Sequence, residues 1–393
     1  MKRVLIAHPY RHVGGPDTFV ANIVRALGGR GWQFWILTPV SRPLTDALRA
    51  LGADVVIEPR LATLPRTIAP ARLAAHVREM GQVGRTVRGL IDAHDIGVVH
   101  GVHETMWGLL RSVRQTLAGR VASVHGLRFT SPRWAGRANT RLLAEAADRI
   151  ICVSNVVRTV FLEWGVPVGK LALVPSSVDL GRFRPDVSGA DVRRELGIPP
   201  DAPLIGTVGS VDERKGQAYF LDACPTLAAK HPALRFVIVG HTDGGSPAHA
   251  EYLAQLRAKA SRLGLDDRLQ FVPARADMPQ VMAALDVLVQ PSLTEAGPRA
   301  PLEAMATGRP VVGTRVEGLA EEVIDGETGV LVPPADSAAL GAAIDDLLRD
   351  RDRRHRLGLA GRARVERFYS LDATADLIEH TYEAAAADAR AAR

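Results

Sequence analysis

The sequence predicts an α/β chain folded as two doubly wound domains, and three observations carry that prediction. Short apolar runs rich in Val, Ile and Leu alternate with amphipathic stretches along all 393 residues. The runs lack the period-2 alternation of a half-exposed strand, so both faces must be covered, as in a parallel sheet between helices. The alternation restarts after Pro185, and 393 residues exceed what one hydrophobic core normally supports.

In chain order the first set of strands is "RVLIAHP", "WQFWILTP", "ADVVIEP", "IGVVHG", "RVASVHG", "RIICVSN" and "KLALVPSSVD". The second set is "PLIGTVGSV", "LRFVIVGHT", "RLQFVPAR", "DVLVQPS", "RPVVGTR" and "TGVLVPP". Segments between them, such as "DTFVANIVRALGGRG", have helical apolar spacing and a glycine-rich stop. The divide falls near "VSGADVRRELGIPPDAP", giving one domain at 1–182 and a second at 183–368. The alanine-rich end, "GRARVERFYSLDATADLIEHTYEAAAADARAAR", reads as helical. Residues 369–393 are expected to form a helix that crosses back to the first domain.

Composition is that of an ordinary globular protein, 47% hydrophobic and 23% charged. Cys152 and Cys224 lie in apolar contexts, which fits buried thiols in a reducing cytoplasm rather than a disulfide framework. The start "MKRVLIAHPY" is a strand rather than a signal peptide, and no run approaches the roughly 18 apolar residues of a membrane span. The net charge of +6 divides unevenly, +13 over residues 1–185 and −7 over 186–393. Arginines crowd "RSVRQTLAGR" and "GLRFTSPRWAGRANTRLLAEAADR", the latter also holding Phe129 and Trp134. That arrangement suits an anionic membrane surface or acceptor. With only five lysines in the chain, arginine as the favoured cation accounts for the same pattern. A cytoplasmic protein, free or peripheral at the inner face of the membrane, is expected, with no nucleic-acid partner.

In doubly wound sheets, ligands bind beyond the carboxyl ends of the strands, where connections diverge. After the first strand, "HPYRHVGGPDTF" sets Gly14 and Gly15 ahead of a helix, where backbone N–H groups can approach an anion. A simple turn explains the glycines as well, and the dinucleotide fingerprint is absent. "SVHGLRF" puts His125 at a strand end, able to bind a hydroxyl or steady developing charge, or to serve as a hydrogen-bonded structural histidine. His100 and His103 are similarly placed and rank lower. In "IGTVGSVDERKGQAYFLDA", Arg214 and Lys215 precede Gly216 and a helix. Two cations beside a helix N-terminus suit a diphosphate, and an exposed loop pair is the alternative. In "TEAGPRAPLEAMATGRPVV", Glu295 belongs to the loop beyond a strand and Glu303 to the helix that follows, with Pro301 near its start. Carboxylates so placed can accept bonds from sugar hydroxyls while amides between them face phosphates; a solvated pair is the alternative.

Together these motifs resemble the retaining glycosyltransferases of the GT-B fold, family 4 (glycosyl transferases group 1). The likeness rests on "EAGPRAPLE", on "AMATGRPVVGTRVEGLAEEVIDGETGVLVPP", on "GSVDERKG", on "ICVSNVVRTVF" with "VPSSVDLGRFRP", and on "GGPDTF". It implies two Rossmann-like domains facing a cleft, the first binding an acceptor and the second a sugar nucleotide. By resemblance, Glu303 holds ribose hydroxyls, and Glu295 sits against the C3 and C4 hydroxyls of the donor sugar. Arg214 and Lys215 neutralise the diphosphate, with amides of Pro298, Arg299, Ala300 and Pro301 and the loop at Gly297 adding contacts. Gly15 faces the phosphates, and His125 lies near the donor sugar. The implied reaction moves a hexose-type sugar from a nucleotide diphosphate, UDP or GDP, to a glycan, lipid-linked or small-molecule acceptor. It keeps the anomeric configuration and needs no metal and no cofactor. No residue is assigned to the acceptor. A sugar-nucleotide epimerase and a non-catalytic sugar-nucleotide or glycan-binding subunit are the alternatives.

Three departures from the family wording stand out. Ala296, Gly297 and Pro298 replace the usual Gly-Phe-Gly, so the pocket wall changes and proline removes one amide. Ser210 stands where many members have arginine, which leaves Arg214 and Lys215 more of the charge to supply. Asp17 occupies an acidic position where glutamate is common.

Overall fold

The structure is a computed structural model that describes residues 2–11, 14–63, 70–113, 119–124, 133–240 and 247–391. The chain forms two compact units, one of residues 1–176 with 371–393, the other of 177–370.

In the first unit β1 (Lys2–Ala7), α1 (Gly15–Gly28), β2 (Trp32–Thr38), α2 (Pro43–Ala50), β3 (Asp54–Ile57) and α3 (Pro70–His94) follow in order. Then come β4 (Val98–Gly101), α4 (Trp107–Ser112), β5 (Gly119–Val124), α5 (Arg133–Ala146), β6 (Arg149–Cys152), α6 (Asn155–Glu163) and β7 (Leu171–Leu173). The strands make one parallel sheet in the order β3-β2-β1-β4-β5-β6-β7, so the direction of winding switches between β1 and β4. Each strand matches one of the apolar runs, because a strand buried on both faces needs side chains that lose nothing by leaving water. Cys152 and Cys224 are buried and free, and burial pushes the Cys152 thiol up to about 12.

The second unit contains α7 (Ala190–Glu195), β8 (Leu204–Val208), α8 (Gln217–Lys230), β9 (Arg235–Val239), α9 (Pro247–Arg262), β10 (Leu269–Val272) and α10 (Met278–Ala284). It continues with β11 (Val287–Gln290), α11 (Arg299–Ala306), β12 (Val311–Thr314), α12 (Glu317–Glu322), β13 (Gly329–Val332), α13 (Ser337–Arg349) and α14 (Arg351–Phe368). Its parallel sheet runs β10-β9-β8-β11-β12-β13, with the switch between β8 and β11. Helix α14 lies tight against α11. A Cβ on Gly358 would stand 2.1 Å from the Gly308 carbonyl oxygen, and one on Gly361 would stand 2.9 Å from Met305 Cγ.

The unit boundaries differ from the sequence expectation of 182/183 and 368/369. Val178 and Phe183 are buried in the core of the second unit, so the chain enters it at Ser177. The terminal segment, expected as a helix over 369–393, is the helix Leu371–Ala391, set off from α14, which ends at Phe368. Tyr369 ends α14: its carbonyl accepts the Val178 N–H at 2.8 Å, and Ser370 bridges Val178. Helix α15 (Leu371–Ala391) then packs into the first unit, where Tyr382 and Ala385 join the core of β1, β2 and α1. Gly119 lets α15 approach β5, since a Cβ there would meet the Ala385 backbone at 2.6 Å. Charges along α15 meet partners from the sheet: Lys2 Nζ lies 2.6 Å from Glu379 and 2.7 Å from Glu383, and Arg149 pairs with Asp388. Among the described residues, no helix is long and apolar enough to cross a membrane.

Candidate functional site

At the switch point of the second unit, the loops after β8 and β11 carry the residues the sequence singled out. The β8 loop closes on a short 3-10 turn, Glu213–Lys215, capped by the Asp212 carboxylate, which accepts the Arg214 N–H at 2.9 Å. Gly216 follows with φ +66°, and a Cβ there would lie 1.9 Å from the Pro291 carbonyl oxygen. Only glycine satisfies both the left-handed backbone and that close approach. The two loops are joined further by the Leu293 N–H, which donates to the Arg214 carbonyl at 2.7 Å.

This packing brings Lys215 Nζ to 2.6 Å from Glu295 Oε1, with the carboxylate side chain 9% exposed. The same oxygen accepts Ser292 Oγ–H at 2.7 Å and Gln290 Nε2–H at 3.0 Å. Three donors thus fix the carboxylate in one orientation, and charge-assisted bonds of this kind are the strong ones. The backbone of Glu295 is held as well. Its carbonyl accepts the Gly318 N–H at 2.9 Å, and its N–H donates to the Glu317 carboxylate at 3.4 Å. Gly318 has no room for a side chain, because a Cβ would stand 2.3 Å from the Ala296 carbonyl oxygen.

Arg214 diverges from Lys215. Its guanidinium turns to Asp212 at 2.9 Å, and the side chain is 64% exposed. Glu303 is buried on α11, near Arg299 Nη1 at 3.6 Å. Burial raises its carboxyl above the usual range, with the charges of Arg299 and Arg182 acting against that shift. The helix starts at Arg299 with Pro298 as its N-cap, so Pro301 is its third residue, near the start as expected. Proline has no N–H, so neither Pro298 nor Pro301 can offer an amide, and that role narrows to Arg299 and Ala300. Gly297 lies half-buried between Glu295 and this helix.

In the first unit, Gly15 opens α1 behind Gly14, whose N–H donates to Asp17 Oδ2 at 2.7 Å. Asp17 also holds Arg42 Nη2 at 2.8 Å and His8 Nε2 at 2.5 Å. Burial lowers the His8 pKa, so a neutral imidazole donates to the carboxylate. Burial would raise Asp17, but His8, Arg42 and the Gly14 N–H more than offset it and keep it ionised. His100 is structural: its Nδ1 lies 2.8 Å from the Tyr382 hydroxyl in the core, and burial lowers its pKa to about 3. His103 Nδ1 meets Thr105 Oγ1 at 2.8 Å. His125 and Phe129 lie outside the described residues, as does the side chain of Trp134.

Sequence reasoning passed over Gln290, Ser292 and the buried Glu322, as well as the tie from His8 and Arg42 to Asp17. Among the described residues, no group of His, Cys, Asp and Glu side chains is arranged to hold a metal ion.

Residues 190–364 match the family described as glycosyl transferases group 1, and residues 13–182 match glycosyltransferase family 4. The D-inositol 3-phosphate glycosyltransferase of Nocardia farcinica is 33% identical over 249 residues, 62% of this chain and 54% of that protein. The protein of the same name from Kineococcus radiotolerans is 31% identical over 335 residues, 81% of this chain and 72% of that protein. Among solved structures, Anabaena Alr3699/HepE in complex with UDP and glucose superposes with a TM-score of 0.81. At 21% identity, that match covers 98% of this chain and 100% of the other. With both halves matched and the two sheets wound as the GT-B fold requires, the chain belongs to the group 1, family 4 glycosyltransferases.

Proposed function

We propose that this glycosyltransferase takes a hexose-type sugar from a nucleoside-diphosphate sugar and passes it, with retained anomeric configuration, to a hydroxyl of an anionic acceptor. The observation that carries the reading is the Lys215–Glu295 pair at 2.6 Å, fixed where the β8 and β11 loops meet. In this reading Lys215 turns to the diphosphate when the donor binds, and the Arg299 and Ala300 amides add the partial positive charge of a helix N-terminus. Glu295, with Oε1 already engaged by Ser292 and Gln290, offers its second oxygen to the sugar hydroxyls. Glu303 receives the ribose hydroxyls.

The bond between the sugar C1 and the phosphate oxygen breaks with its electron pair going to the nucleoside diphosphate. The acceptor oxygen bonds C1 from the same face, and its proton passes to the departing phosphate oxygen. Lys215 acts where charge develops, the usual place for a large electrostatic contribution. HepE is described with UDP and glucose, and the bacterial relatives by name glycosylate an inositol phosphate, which supports a sugar nucleotide as donor and an anionic polyol as acceptor.

A thermal-shift screen of UDP-, GDP-, ADP- and dTDP-sugars tests the reading, because a ligand that binds only the native state raises its stability by about 2.7 kcal/mol at a hundred times Kd. One donor class should stabilise the protein, and Lys215→Ala should lower turnover of that donor by roughly 10²–10³-fold. Near-normal turnover in Lys215→Ala would sink the role given to that residue.

A further inference from the structure

Helix α12, "EGLAEE", is only six residues long, and its N-cap, Val316, makes no side-chain hydrogen bond to it. That is far below the roughly 12–15 residues at which an isolated helix becomes marginal in water, so its neighbours must hold it. Leu319 and, just past the helix, Val323 are fully buried and pin one face to the core. The two ends are held by different partners.

The first end meets the loop after β11. The Gly318 N–H donates to the Glu295 carbonyl at 2.9 Å, and the Glu317 carboxylate accepts the Thr294 hydroxyl and the Glu295 N–H at 3.4 Å each. The Ala296–Gly297 peptide lies flat against Gly318. A Cβ there would stand 2.3 Å from its oxygen, 2.4 Å from its carbon and 2.8 Å from its nitrogen. The φ of Gly318 is not positive, so what glycine supplies here is room. At the other end, Arg364 on α14 donates Nε–H to the Glu322 carbonyl and Nη2–H to the Glu321 carbonyl, at 2.8 Å each. The Tyr369 hydroxyl donates to the same Glu321 carbonyl at 3.2 Å. The last carbonyls of a helix have no partner within it, and a cation suits them.

We propose that α12 is the positioning element for donor-sugar recognition, with Gly318 as the seat of the Glu295–Gly297 loop and Arg364 as the anchor of that seat. This rests on the reading of Glu295 as the carboxylate that meets the sugar hydroxyls. Lys215, Ser292 and Gln290 fix the Glu295 side chain, whereas α12 fixes its backbone. The groups read as holding the nucleotide, Lys215 and Glu303, belong to the 3-10 turn and to α11. A shift of the seat therefore moves the sugar-facing wall and leaves the nucleotide contacts in place.

Gly318→Ala tests the seat. Alanine is the better helix former, so a loss in this variant does not come from a weaker helix. The added methyl falls well inside van der Waals contact, so the Ala296–Gly297 peptide has to move. Calorimetric titration of the full chain compares UDP, GDP, ADP and dTDP with UDP-glucose, GDP-mannose, ADP-glucose and dTDP-glucose. For the class that binds, Gly318→Ala should weaken sugar-nucleotide binding about tenfold, the worth of one hydrogen bond to a charged group, and leave nucleotide binding within about twofold. Arg364→Ala should show the same split at about threefold. Equal losses for nucleotide and sugar nucleotide, or no loss for either, would overturn the positioning role. Glu295→Ala separates that failure from failure of the underlying reading. If it shows the split and Gly318→Ala does not, only the role of α12 is lost. If Glu295→Ala binds both ligand classes as the wild type does, Glu295 does not meet the sugar and this inference falls with that reading. A wild type that binds none of these probes would overturn both. If Gly318→Ala does not fold, Arg364→Ala decides by the same comparison.

Discussion

Arg214 and Lys215 are neighbours of equal charge in very different surroundings. Lys215 is committed to a nearly buried carboxylate, whereas Arg214 reaches Asp212 across an exposed surface. Exposed pairs contribute about 0–1 kcal/mol, so Arg214→Ala should cost less than about tenfold in turnover, against the far larger loss for Lys215→Ala. Steady-state kinetics at saturating donor separate the two, and equal losses would show that Arg214 swings into the site. The sequence revealed both cations and both glutamates because charge beside a strand end is a visible signal. It could not reveal which way each side chain turns, since that depends on a cap such as Asp212. Gln290 and Ser292 were hidden inside "LVQPS", which reads as a plain strand end. Glu322 was hidden in "LAEEVIDG", where adjacent glutamates look like one solvated pair until the helix turns one of them inward.

At the scale of the element, α15 is the piece whose loss should matter most to the first unit. Tyr382 is fully buried, tilted against Trp32 with ring centroids 5.4 Å apart, and in hydrogen-bond contact with His100. Removing only its hydroxyl leaves His100 unpartnered at Nδ1, while Nε2 already lacks a partner among the described residues. Tyr382→Phe should therefore lower unfolding stability by about 1–3 kcal/mol, and Tyr382→Ala by about 3–5 kcal/mol through the cavity it opens. Urea titration followed by tryptophan fluorescence measures both, and an unchanged midpoint for Tyr382→Ala would show that α15 is not part of this core. The strands were legible in the sequence because each is an unbroken apolar run. The break between α14 and α15 was expected at 368/369, although "RFYSLD" contains neither glycine nor proline. The helix stops there because the Tyr369 carbonyl and Ser370 are taken by Val178, a partner nearly two hundred positions away.

For the molecule as a whole, charge is divided more sharply than its total suggests. Several arginines of the basic half are neutralised locally, Arg42 by Asp17, Arg60 by Glu58 and Arg120 by Asp148. Even so, the first unit keeps an excess of +9 once the carboxylates of α15 are counted with residues 1–176. A surface of that sign gathers anionic ligands and anionic lipid. In flotation assays the protein should rise with vesicles containing anionic lipid, stay down with neutral ones, and be released by roughly 0.5 M salt. Failure to float with either would confine the excess charge to a soluble acceptor.

The threading of the chain has a consequence for how the protein is made. The second unit is one continuous stretch, 177–370, so every residue it needs has been added to the chain by the time synthesis passes Ser370. The first unit is begun earlier and finished later, because α15, which supplies part of its core, follows the second unit in the chain. The unit that begins first is therefore the one whose sequence is completed last. The sheet that is made first must wait, with the apolar site for Tyr382 still open, until the whole of the second unit has been synthesised.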